Sequence, residues 1–348
     1  MSSSKNISNI QMDKEEVDRL LLSYQSSESS IINELLKFMR DRKFPKCVIY
    51  KKNSKNEFNS KYFGCDKDTT FRCASITKPI TAAIIKSMFK SELDQSFMHF
   101  ININVNIRDK RIYDITIRHL IDHTSGFDNM KSFRTDPMFT NTHIDKLIDQ
   151  YFPTIYLAST PGVKYSYSNF GYALLGHIIE QRDNYLEYVK KYLGENVYLG
   201  ETNKLQPNET KYYFQENMFN IEPMVAHGGL VVNPIDLCNF GLKYIISGKL
   251  IGESISDNFT HFMTGSFPGA TCILYQRKQK DLVTSCVLMF NSRTVYMDED
   301  IKNMSKICQN YINEVIPSIP IEVSESMEIE QYEQEPNKIA GTKCCSII

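Results

Sequence analysis

The spacing of apolar residues changes period several times along this chain, and each change predicts an element. Glu16–Leu22 reads as a short helix. Ser30–Arg42 reads as a second, with Ile31, Ile32, Leu35, Leu36 and Met39 on one face and Phe44-Pro45 as its stop. The β-branched and aromatic run Cys47–Tyr50, the turn-like Lys52–Asn56 and then Phe58–Phe63 predict a hairpin. From Ser75 to Phe89 the helical period returns, with Ile76, Ile80, Ala83, Ile84 and Met88 sharing a side. Pro79 falls in its first turn or so, where a missing amide hydrogen costs least. Glu92 to Gln215 reads as helix and loop, with turn signals at Pro153 and Pro161-Gly162. Strand character reappears at Ala270–Tyr275 and Leu282–Phe290, on either side of a charged turn at Arg277–Asp281. Ile301–Glu314 reads as a closing helix, with Met304, Ile307, Cys308, Tyr311 and Ile312 on one face.

These elements predict an α/β (α+β) sandwich. An antiparallel sheet is built from both chain ends and flanked by helices, and a helical insert over about 92–215 forms an all-α subdomain. Residues 1–13 read as a polar, flexible leader without an apolar stretch suited to secretion, and 14–315 as the catalytic domain. The acidic stretch within 316–348 reads as a solvated tether. Forty basic residues oppose forty-one acidic ones, which gives no electrostatic bias toward nucleic acid. The nine cysteines are odd in number and form no CxxC pair, so free thiols in a reducing, cytoplasmic setting are expected.

Three short motifs carry candidate chemistry: Ser75-Ile76-Thr77-Lys78, Tyr167-Ser168-Asn169 and Thr264-Gly265. Ser-x-x-Lys alone is common by chance, and the argument rests on order and context. Phe71 to Lys78, Ile117 to Phe127, Pro161-Gly162 with Tyr165 to Gly176, Gly228-Gly229-Leu230 with Asp236-Leu237, and Thr264 to Gly269 follow one another in a single order. In these blocks, over roughly Pro45 to Asn313, the chain resembles the serine β-lactamase-related family: class C β-lactamases, D-alanyl-D-alanine peptidases and related esterases. The resemblance implies a β-lactamase/transpeptidase-like fold and a serine acyl hydrolase without metal or organic cofactor, acting on a small-molecule or peptide-like acyl substrate.

The residue types suit that chemistry. A serine hydroxyl needs a base within hydrogen-bond reach, and Lys78 lies three positions along a helix from Ser75. Burial or a nearby positive potential would lower the lysine pKa enough for it to act as that base. A nucleophile at a helix N-terminus also meets the helix dipole. By resemblance, Tyr167 relays a proton to the leaving group and Asn169 bonds a substrate amide or carbonyl. Thr264, Gly265 and Ser266 border the substrate, with the amides of Ser75 and Ser266 forming the oxyanion hole. The family usually carries Lys or His before Thr-Gly, where this chain has Met263. That predicts a preference for neutral or apolar acyl groups. It also supports a rival reading, a catalytically lapsed relative serving as a binding or scaffold module.

Other signals are weaker. His119 and His123 lack the zincin glutamate, since Leu120 follows His119, and are expected to fix a loop. His227 is open between a cleft-facing and a structural role. Cys73 reads as packing, and Asp128 to Arg134 as a cleft-rim loop. Cys345-Ser346-Ile347-Ile348 fits the prenylation pattern, with Cys344 as a palmitoylation candidate. In a cell with a prenyltransferase the chain is expected on the cytoplasmic face of a membrane; the alternative is a tail that ends in this order by chance.

Overall fold

The computed structural model describes residues 10–214, 220–253 and 256–314. Helix α1 (Lys14–Ser23) starts where the Asp13 carboxylate accepts the Glu16 N–H. Helix α2 (Ser30–Arg42) is capped by the Ser29 hydroxyl and ends at Lys43, which turns into the left-handed region. The hairpin β1 (Cys47–Asn53) and β2 (Phe58–Phe63) follows, then the short β3 (Phe71–Arg72). A 3₁₀ turn over Ala74–Ile76 leads into α3 (Thr77–Met88), with α4 (Ile117–Ile121), α5 (Ile144–Tyr151), α6 (Asn169–Glu180) and α7 (Tyr185–Leu193) beyond it. Strands β4 (Val197–Leu199) and β5 (Leu230–Val232), helix α8 (Pro234–Lys243), strands β6 (Asn258–Phe267), β7 (Ala270–Gln279) and β8 (Leu282–Phe290), and helix α9 (Met297–Asn313) complete the order.

The main sheet runs β2-β1-β8-β7-β6, antiparallel throughout, with Cys47 opposite Phe290. Along β1, β7 and β8 the period of two sorts the side chains onto two buried faces, whereas the edge strands β2 and β6 are largely half-buried or exposed. Ile49, Ile273 and Leu288 meet α1, α2 and α9 through Val17, Leu35, Met39, Met304 and Ile307. Val48, Leu274 and Val287 meet the second helical layer through Ile80, Ile84, Leu174 and Leu237. The expected sandwich, built from both chain ends, is therefore observed. Lys51, buried in β1, donates to the carbonyls of Tyr311 and Glu314 and so clamps the end of α9 onto the sheet.

Several boundaries differ from expectation. Arg277 to Gln279 extend β7, and the turn narrows to Lys280-Asp281 between the paired Gln279 and Leu282. Helix α9 begins one turn early, its first turn carrying Asp298, Glu299 and Asp300, whose negative charge suits a helix N-terminus. The insert is not purely helical: β4 pairs with β5, which pairs with β3, in a second small sheet. Residues 10–12, assigned to the polar leader, are packed: Ile10 and Met12 are buried, and the Met12 N–H donates to the Tyr212 carbonyl at 2.7 Å. Two apolar side chains separated by Gln11 were enough to find cover. Among the described residues no helix is long and apolar enough to cross a membrane. Residues 316–348, including Cys344 and Cys345, lie outside the described residues.

Candidate active site

Ser75 sits in the 3₁₀ turn between β3 and α3. Ala74 before it holds φ at 45°, a left-handed conformation that a residue with a Cβ adopts at a cost of about 1 kcal/mol. Lys78, one turn on, is 1% exposed. Its Nζ donates to Ser75 Oγ at 3.2 Å and to the His227 carbonyl at 2.6 Å. It also lies 4.9 Å from the Tyr167 ring centroid and 5.8 Å from that of Tyr172. Burial lowers the Lys78 pKa to about 7, against a smaller opposing pull from Asp136.

Tyr167 reaches Ser75 from the opposite wall, its hydroxyl donating to Oγ at 2.8 Å. Burial pushes its pKa up to about 12, so the phenol keeps its proton at neutral pH. Beneath it lies His123, with ring centroids 4.6 Å apart; its Nδ1 accepts the Ser168 N–H at 3.1 Å. Burial first, and Lys78 second, hold the His123 pKa down to about 3, so the ring is neutral. His119 Nδ1 accepts the Thr116 N–H at 3.2 Å. Both histidines thus spend a ring nitrogen on fixing the loop. Among the described residues no group of three or more His, Cys, Asp or Glu is placed to hold a metal ion.

Asn169 opens α6, where Ser168 Oγ caps the helix by accepting the Gly171 N–H. Asn169 Nδ2 donates to Asp136 Oδ2 at 2.7 Å. Asp136 also accepts from Asn129 Nδ2 at 3.0 Å, and its other oxygen caps the Pro137–Phe139 turn at the Met138 N–H. Asp136 and Tyr172, which lines the cleft and donates its hydroxyl to the Ile121 carbonyl, were not among the candidates read from sequence. Tyr172 lies inside a quoted block and carried a signal; Asp136 lies in aperiodic loop and carried none.

Strand β6 forms the third wall. Thr264 and Ser266 line the cleft, and Ser266 Oγ also contacts Met297 Sδ at 3.2 Å. Gly265 lies against the incoming segment so closely that a Cβ there would sit 2.1 Å from the Cys73 carbonyl oxygen. Met263 lines the cleft. His261 does not, and stacks on Phe259 with ring centroids 4.9 Å apart. Cys73 is buried, its carbonyl accepting Cys272 Sγ, in keeping with packing. His227 is 2% exposed and contributes its carbonyl to Lys78 rather than a side chain to the cleft lining. Asp128 holds the rim, accepting from the amides of Met130 and Lys131 and from Ser166 Oγ, next to Tyr167.

The resulting cleft has a volume of about 620 Å³, with Ser75, Tyr167, Tyr165, Ile121, Phe262 and Met263 among its lining residues. Its scale suits a small ligand.

The Beta-lactamase family model matches residues 48–272. A curated relative, the probable fimbrial assembly protein FimD of serogroup H1 from Dichelobacter nodosus, is 30% identical over 179 residues; the match covers 46% of this chain and 42% of that protein. Less than half the length of such relatives is therefore represented here. Among solved structures, a D-amino acid amidase from Ochrobactrum anthropi SV3 is similar with a TM-score of 0.62 at 17% identity, covering 82% of this chain and 99% of that one. A beta-lactamase/D-alanine carboxypeptidase from Yersinia pestis gives 0.60 at 17% identity, covering 86% and 100%. At these identities the structural likeness carries the fold.

Proposed function

The chain belongs to the Beta-lactamase family, and from that premise we propose that it is a serine acyl hydrolase working through an acyl-Ser75 intermediate. The observation that carries this reading is Ser75 Oγ held between Lys78 Nζ at 3.2 Å and the Tyr167 hydroxyl at 2.8 Å. In its neutral form Lys78 takes the proton of Ser75 as Oγ bonds to the acyl carbon. The backbone amides of Ser75 and Ser266 hold the oxyanion. As the bond to the leaving group breaks, Tyr167 passes its proton to that group and is resupplied from Lys78. Water then cleaves the acyl-enzyme with the same groups working in reverse. Ile121, Phe262 and Met263 in the cleft lining favour neutral or apolar acyl groups over anionic ones. Two structural neighbours are named for amide-cleaving activities, so esters, amides and peptide-like compounds are the substrates to screen.

The test is intact-protein mass after exposure to a small fluorophosphonate, on wild type and Ser75→Ala in parallel. One adduct is expected on wild type and none on the variant. No adduct on folded wild type would move the weight to a lapsed relative that keeps the fold as a binding module, the reading that Met263 favours.

A further inference from the structure

A second cavity, with a volume of about 350 Å³, lies apart from the catalytic cleft, and none of its described lining residues lines the cleft. Its walls are the end of α2, the Pro268-Gly269 turn between β6 and β7, and residues 292–296 between β8 and α9, with Tyr213 and Phe214 beside them. A space of this size is at the lower end of what ligand sites use.

Four charged side chains line it, and three of them are already matched. Arg42 is held by Asp300 at 2.6 Å and Glu299 at 2.7 Å, Lys43 by Asp18 at 2.9 Å, and Asp41 by Lys37. Arg293 is the fourth. It is half-buried, its Nε is buried with no hydrogen-bond partner, and it forms no ion pair with any described residue. A buried donor of a guanidinium that can never shed its charge is costly to leave unmatched. The start of α9 adds positive potential of the same sign: Tyr296, just before its first turn, lines the cavity, and no side chain caps that end. Of the acidic residues in that turn, Glu299 and Asp300 are spent on Arg42, and Asp298 is exposed and does not line the cavity.

The remaining walls are aromatic as well as polar. Phe214 is buried, Tyr213 half-buried, and the Tyr296 ring lies 5.4 Å from the Arg42 guanidinium. The cavity thus pairs one uncompensated fork of N–H donors with flat apolar surface.

We propose that this cavity is a second ligand site, which takes a small aryl carboxylate with its carboxylate on Arg293 and its ring against Tyr213, Phe214 and Tyr296. A planar guanidinium matches a carboxylate in geometry as well as in charge, which a lysine does not. The site stands independently of the hydrolase reading, since no residue that carries that reading lines it.

The experiment is a ligand-observed NMR titration of the full chain at about pH 7.5 and fixed ionic strength, with benzoate, benzyl alcohol and inorganic phosphate as probes. Benzoate should bind with a Kd on the order of 0.1–1 mM, the range open to so small a ligand. Phosphate should bind more weakly, for want of an apolar body, and benzyl alcohol most weakly. Arg293→Gln should weaken benzoate at least about tenfold, and Arg293→Lys by a smaller factor. Met263→Ala, changed in the catalytic cleft instead, should bind benzoate as wild type does. Benzoate that binds wild type no better than benzyl alcohol would overturn the proposal, whatever the variants do. So would benzoate binding that survives Arg293→Gln, that is lost in Met263→Ala, or that is weaker than that of phosphate.

Discussion

Lys78 can serve as a base only in the fraction that has lost its proton, and this makes the pH profile its signature. With its pKa near 7, it is protonated and unable to accept the Ser75 proton below that value, and competent above it. The rate of Ser75 labelling should therefore rise through about pH 7. The groups that influence Lys78 are Asp136 and Cys73, which favour its charged form, and its neighbours His123, His227, Tyr167 and Tyr172. Asp136→Asn removes the negative charge that favours protonated Lys78, so the midpoint should move to lower pH. A labelling series from about pH 5 to 9 checks this, and an unmoved midpoint would show that Asp136 does not act on Lys78. Ser75, Lys78 and Tyr167 were legible in the sequence because short motifs with fixed local spacing mark them. Asp136 was not, since its partners Asn129 and Asn169 lie 7 and 33 positions away and no periodicity links them.

At the scale of elements, the site depends on how β6 lies against the turn that carries Ser75. Gly265 permits that approach. In Gly265→Ala the new Cβ would meet the Cys73 carbonyl oxygen at 2.1 Å and Cys272 Sγ at 2.8 Å, both on buried residues. Either β6 or the Ser75 turn must move. The expected result is a loss of about 1–3 kcal/mol, read as a lower Tm, together with slower Ser75 labelling. A variant with wild-type labelling would show that the contact does not set the site. Elements with long, regular apolar patterns, such as α2, β8 and α9, were readable from sequence to within a turn. Strands β3, β4 and β5 were not: two or three residues hold no measurable period, and pairing with one another is what makes them strands.

Across the whole molecule, a buried ion pair joins the segment entering the site to a distant loop. Arg72 Nε lies 2.7 Å from Glu209 Oε1, with side chains 1% and 0% exposed, and Tyr212 donates its hydroxyl to the same carboxylate. Glu209→Gln leaves the Arg72 charge buried without its counter-charge, at an expected cost of about 3 kcal/mol. Urea unfolding should show a lower midpoint, and a change below about 1 kcal/mol would contradict this account. The joining of the two chain ends in one sheet was visible in the sequence, because strand patterns lie early and late with helical patterns between them. It also has a consequence for synthesis. Strand β1 lies between β2 and β8, with Cys47 opposite Phe290, so most of the chain must be made before β1 gains its second neighbour. At typical rates of translation that interval is roughly ten to fifty seconds. During it the early hairpin presents an unpaired edge, so the yield of folded protein should depend on how crowded nascent chains are and on whether a chaperone covers that edge until the last strand arrives.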